Sequence, residues 1–153
     1  MTLQDYQSEF TGYYQNSTCA SEYGGVRRQK HARSPGLNIQ PGETLKVTSR
    51  RFAKDKWVVG SDNADNRLFI FGCSVPSQPD VSIGWVEEVD PITLETIRQS
   101  PELTTGGHNW CGGAAVLADG TIITGFGNRI HKLTLELELI AELELSVDHA
   151  HNG

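Results

Sequence analysis

Residues Trp110–Gly127 read WCGGAAVLADGTIITGFG, and this stretch decides the fold. Ala114–Leu117 and Thr121–Thr124 are two short apolar runs rich in strand formers. Between them, Ala118-Asp119-Gly120 supplies hairpin chemistry: an aspartate that binds nearby backbone and a glycine free to take positive φ. The small residues from Cys111 to Ala115 suit a strand in a crowded, innermost position. Downstream, Leu133, Leu135, Leu137 and Leu139 recur with period two, and Leu143 and Leu145 resume the alternation after Ile140-Ala141 shift its phase. Leu and Glu are good helix formers, but a helix would scatter these leucines around its circumference. The spacing therefore predicts two strands, joined by a tight turn or bulge at Ile140-Ala141.

Working outward toward the N-terminus, the pattern stays β. Thr44–Thr48 alternates, and Trp57–Gly60 and Leu68–Gly72 are short apolar runs bounded by turn residues. Ile83–Val89 and Leu94–Ile97 flank Asp90-Pro91-Ile92-Thr93, a hairpin connection in which proline fixes φ. Asp62-Asn63-Ala64-Asp65-Asn66 lacks the spacing and glycine of a calcium loop and reads as the turn after the first of these strands. The first forty residues show weak periodicity and turn signals at Ser34-Pro35-Gly36 and Gln40-Pro41-Gly42.

Two of these segments repeat. Val89–Leu94 (VDPITL) and Leu133–Leu137 (LTLEL) occupy equivalent places, the second one residue shorter. From there Leu94 maps to Leu137, Ile97 to Ile140 and His108-Asn109 to His151-Asn152, all at a spacing of 43. Upstream, Trp57, Ile70 and Gly72 map to Trp110, Ile123 and Gly125 at a spacing of 53, the excess lying in a loop-like insertion from Cys73 to about Ser82. A period of about 40–45 residues carrying about four short strands is the signature of a propeller blade, whose sheet buries its faces only against neighbouring blades. The expected fold is all-β: a partial β-propeller of about two four-stranded antiparallel blades after an irregular, basic N-terminal segment, residues 1–43. The propeller part covers 44–153, with blade one at about 57–103, blade two at about 110–147, and 148–153 beginning a third.

The WCGGAAVLADGTIITGFG stretch, the following IHKLTLELELIAEL and the VDPITLE hairpin resemble six- and seven-bladed propellers of the gluconolactonase-like, strictosidine-synthase-like, NHL and quinoprotein-like groups. The likeness covers Trp57 to Gly153 and is at superfamily level. It implies a blade architecture and no particular activity, since that fold hosts hydrolases, isomerases, electron-transfer enzymes and pure binding proteins. A ring of about 4–8 blades needs more than 153 residues. The chain reads as an opened ring whose partners are the missing blades or copies of itself at its open edges.

Composition bounds the partners. The chain carries a net charge of −6, has a pI near 5.3, and holds no apolar run near the ~18 residues of a membrane span. No secretory signal is visible in residues 1–20, which points to the cytoplasm. Three cysteines, Cys19, Cys73 and Cys111, make no disulfide framework. Charge is polarised: Val26–Lys56 is net +7, whereas Asp80 to the end is net −9. The basic stretch has few aromatics and no recognition motif, so contact with the acidic half explains it better than nucleic acid does.

The chemistry-bearing residues fall at one phase of the repeat. In such propellers the link entering each innermost strand lines a mouth of the channel. That phase holds His108 in one repeat and Asp148, His149 and His151 in the next. Imidazole and carboxylate ligate divalent metals, and imidazole also suits acid/base work near neutral pH. His108, His149, His151 and Asp148 are the metal candidates, and His108 and His151 the catalytic ones. The plainer reading of His-Asn is a polar turn bonding backbone at a strand start, and blade one has Asp55 and Lys56 there instead. Cys111 reads as a small buried thiol rather than a nucleophile. The function expected is binding of a small molecule or divalent metal at the mouth, as part of a hydrolase or lyase. The alternatives are a non-catalytic protein-interaction module and a piece with no activity of its own.

Overall fold

The computed structural model of the chain describes residues 39–51, 56–64, 67–74, 82–106 and 112–146. The described residues are all-β, with no helix. The first sheet is a meander of β1 (Lys56–Ala64), β2 (Arg67–Ser74), β3 (Ile83–Val89) and β4 (Thr96–Gln99), each antiparallel to the next. A two-residue strand, β5 (Leu103–Thr104), pairs with the start of β3. The second sheet repeats the path with β6 (Gly113–Val116), β7 (Thr121–Phe126), β8 (Arg129–Thr134) and β9 (Leu139–Glu144).

The predicted hairpins form where their chemistry lies. At Ala118–Gly120 the Leu117 amide donates to Thr121 O, Asp119 Oδ1 accepts from the Thr121 amide, and Gly120 sits at φ 77°. At Asp90 the carboxylate accepts from the Ile92 and Thr93 amides, and these bonds hold its pKa below the ordinary range, that from Thr93 most strongly.

Three strand expectations are corrected. Thr44–Thr48 forms no strand; it is exposed and makes no ladder. Leu94 lies in the loop before β4 at φ 60°. The turn expected at Ile140-Ala141 comes earlier, at Thr134–Glu138: the Leu137 amide donates to Thr134 O and Leu137 stands at φ 64°. A type I turn closed by a left-handed residue with a bulge is the usual three-residue hairpin, and here burial of Leu137 holds it.

Leu94 and Leu137 thus hold the same strained place in the two sheets, and each hairpin carries a register shift beside it, at Glu88/Val89 and at Lys132/Leu133. From these anchors the pairing fixes the remaining equivalences. Val89 pairs with Leu68, and Leu133 with Ile122. Leu68 therefore corresponds to Ile122, one residue away from the register that matched Ile70 to Ile123. A shift of one residue exchanges the faces of a strand.

The corrected register shows how the sheets stack. One buried cluster joins Phe69, Phe71, Val86 and Leu103 of the first sheet to Val116, Ile122, Phe126, Leu133 and Leu137 of the second. The counterparts of Phe69, Phe71 and Val86 are Ile123, Gly125 and Ile130, which lie on the opposite face from Ile122 and Phe126, by alternation along β7 and pairing with β8. Non-equivalent faces meet, so the two sheets stack head to tail. The contact is close: a Cβ on Gly84 would lie 2.4 Å from the Phe126 ring. Trp85 is buried on the first sheet's other face, since its neighbours Gly84 and Val86 lie on the face toward the second sheet.

Ion pairs close one side of this interface. Glu88 is buried and accepts from Arg67 at 2.8 and 2.9 Å and from Arg98 at 2.7 Å. Arg67 also reaches Glu136 at 3.1 Å and Leu135 O at 2.6 Å, both in the turn of the second sheet. The Glu88 hydrogen bonds raise the Arg67 pKa further. On the far face of the first sheet, Arg50 binds Glu87 at 3.0 Å, a contact between the basic stretch and the acidic half.

Candidate functional site

His108, Asp148, His149 and His151 lie outside the described residues, as do Asn109, Trp110 and Cys111. The described chain does fix where the segments holding them depart. β6 starts, β7 ends, β8 starts and β9 ends at one rim of the second sheet. Asn128, in the turn between β7 and β8, is the junction of that rim. Its amide donates to Thr105 O at 3.4 Å, and its carbonyl accepts from the Leu145 amide at 2.8 Å. Thr105 stands just before residues 107–111, and Leu145 just before 147–153. Asn128 therefore holds, by its N–H and by its C=O, a described residue close in sequence to each of the two histidine-bearing segments.

The local backbone demands this crowding. Gly106 has φ 67°, and a Cβ there would fall 1.8 Å from Asn128 Oδ1. Gly112 has φ 63°, and a Cβ there would fall 1.6 Å from Gly125 O. Glycine is required on both sides of residues 107–111, because any other side chain would collide with the rim. Thr105 Oγ1 donates to Ser82 O at 2.9 Å and extends the rim to the first sheet.

A polar row descends from this rim into the interface. Thr124, His131 and Glu142 stand opposite one another across β7, β8 and β9. His131 is fully buried, its Nδ1 lies 3.4 Å from Thr124 Oγ1, and its Nε2 lies 3.7 Å from Glu142 Oε2. The second distance is too long for a hydrogen bond. Burial pushes the His131 pKa below the ordinary imidazole value, Glu142 opposing that shift and nearby Arg129 adding to it. Arg129 joins Glu142 at 3.2 Å and Glu144 at 3.1 Å, and Thr104 donates to Glu142 at 3.0 Å from the first sheet.

Asn128 Oδ1, Arg129 Nε and His131 Nε2 are buried without a hydrogen-bond partner among the described residues. Three such atoms within four residues make the rim the least satisfied part of the described chain, a condition that water or a ligand relieves. His131 was not among the sequence candidates. Its signal was the alternation of Arg129, His131 and Leu133, which places it on the face turned to the first sheet. In the first sheet the same place is taken by Glu87, also buried, bound by Arg50 and the Thr96 hydroxyl. A buried ionisable side chain thus stands at corresponding places in the third strands of the two sheets, although its identity differs.

Among the described residues, no group of three or more His, Cys, Asp or Glu side chains could hold a metal ion. No helix among the described residues is long and apolar enough to cross a membrane. Comparison with protein-family profiles, curated proteins and solved structures returned no match.

Proposed function

We propose that the two sheets are consecutive blades of a propeller-type repeat protein that binds a small molecule or divalent metal at the rim around Asn128. Head-to-tail stacking of two equivalent meanders supports the blade reading, because it is the arrangement that extends to further blades. The observation that carries the site is the double anchoring of Asn128. Thr105, three residues before His108, and Leu145, three before Asp148, both bond to the main chain of Asn128. Imidazoles and a carboxylate converging there would ligate a divalent metal or exchange protons with a substrate, as in a hydrolase or lyase. The test is titration of the chain with Zn²⁺ and with Mn²⁺, followed by calorimetry. His108→Ala and His151→Ala are each expected to weaken uptake at least tenfold with the circular dichroism unchanged; equal uptake by both variants and the parent would refute the site.

A second reading, a non-catalytic interaction module, is favoured by the outer face of the second sheet. Ile123 and Ile130 there are half-buried and Leu143 is exposed. Missing blades or further copies of the chain are the partners such a face would take.

A further inference from the structure

The geometry points to the outer face of the second sheet as the docking surface for one more four-stranded unit of the same repeat, tethered in the same polypeptide. The inference rests on the blade reading and adds which face docks, by which residues, and against what. Ile123, Gly125 and Ile130 form the centre of that face, with Ala115, Ala141 and Leu143 around them. Added Cβ atoms on Gly113 and Gly125 would meet nothing within 4 Å, so the centre is open and flat. The counterparts of Ile123, Gly125 and Ile130 are Phe69, Phe71 and Val86, which are buried in this same molecule under the Ile122, Phe126 and Leu133 face of the second sheet. The occupant that the register specifies for the open face is therefore another face of that kind.

Charge follows the same logic. Lys132 stands where Glu88 stands in the first sheet, and it lacks the arginines that surround Glu88: Thr121 and Ala141 replace Arg67 and Arg98. An incoming unit with a glutamate at the place of Glu136 would meet this lysine, whose present partner is the exposed Asp119 at 3.1 Å.

The extent of the face favours a tethered unit over a free second copy. Four strands about 4.8 Å apart, each about six residues long, cover roughly 400 Å². A stable free dimer buries about 800 Å² on each partner. A face of this modest extent suits a tethered unit, which gains a high effective concentration, better than a separate molecule. The first sheet offers a second copy no matching surface either, since Trp85, Glu87 and Val89 on its far face are already buried.

The test lengthens the full chain after Gly153 with a second copy of residues 111–146, which preserves the 43-residue spacing. Docking is expected to raise the melting temperature by about 5 °C or more and to slow amide exchange in β8 of the original second sheet at least tenfold. Ile130→Glu is expected to lower the melting temperature of the natural chain by about 2 °C, and that of the lengthened chain at least three times as much. Equal losses in the two chains overturn the inference. If the added copy still protects its own amides in that case, the blade reading survives; if it does not, both fail. A natural chain that dimerises at micromolar concentration in sedimentation, and loses this on Ile130→Glu, also overturns it, because the occupant is then a second copy. Metal uptake through His108 and His151 is read separately and is unaffected by any of these outcomes.

Discussion

His131 shows how one residue couples burial to pH. A neutral imidazole is buried in the folded chain, with its pKa lowered, while the unfolded chain takes a proton near the ordinary value of about 6.5. The unfolded state thus binds more protons below that value, and stability must fall as pH falls through it, until the folded imidazole itself protonates. The urea midpoint is expected to drop between pH 7.5 and pH 5.5, and His131→Gln should flatten that difference; an unchanged slope would show that other groups set it. Leu94 and Leu137 make a second comparison. Each carries a left-handed backbone that costs a non-glycine residue roughly 1–2 kcal/mol. Leu94 is half-buried and Leu137 fully buried. Leu94→Gly is expected to leave stability within about 1 kcal/mol, because relief of strain offsets the lost contact, whereas Leu137→Gly should cost about 2–4 kcal/mol through the cavity it leaves. Chemical denaturation of the two variants measures both.

At the scale of elements, strands and hairpins were legible wherever turn chemistry stood between alternating runs. Asp90-Pro91 and Asp119-Gly120 are such places. The Thr134–Glu138 turn was hidden because Leu135, Glu136 and Leu137 carry no turn residue and continue the alternation of the flanking strands. Only the tertiary burial of Leu137 makes the turn worth its strain. Thr44–Thr48 alternates well but pairs with no strand among the described residues, and alternation without a partner forms no ladder. Packing between elements was not legible: the tight approach of β3 to β7 depends on Gly84, which the sequence shows as an ordinary strand glycine. Gly84→Ala places a methyl 2.4 Å from the Phe126 ring and is expected to cost about 1–3 kcal/mol. Phe126→Leu should recover part of that loss in the double variant, and a thermodynamic cycle showing no coupling between the two positions would argue against the contact.

For the whole molecule, the 43-residue spacing pointed to a repeat, and the structure bears out the all-β, two-sheet part of that expectation. The upstream register was off by one because the adjacent Ile122 and Ile123 stand on opposite faces of β7, so landmark matching could not tell the faces apart. Strand pairing could, and it turned a resemblance between two sheets into a stacking rule. The candidate site was legible only as a phase of the repeat. His131 and the junction at Asn128 were not, because their roles come from burial and from main-chain bonds rather than from a motif. The stacking rule is the central claim, and nuclear Overhauser contacts at the interface test it directly. Contacts from the Phe126 ring to the Gly84 α-protons, and from Ile122 methyls to the aromatic rings of the first sheet, are expected, with none from Ile123 or Ile130 to that sheet. Contacts from Ile123 and Ile130 to the first sheet, in place of those from Ile122 and Phe126, would contradict it.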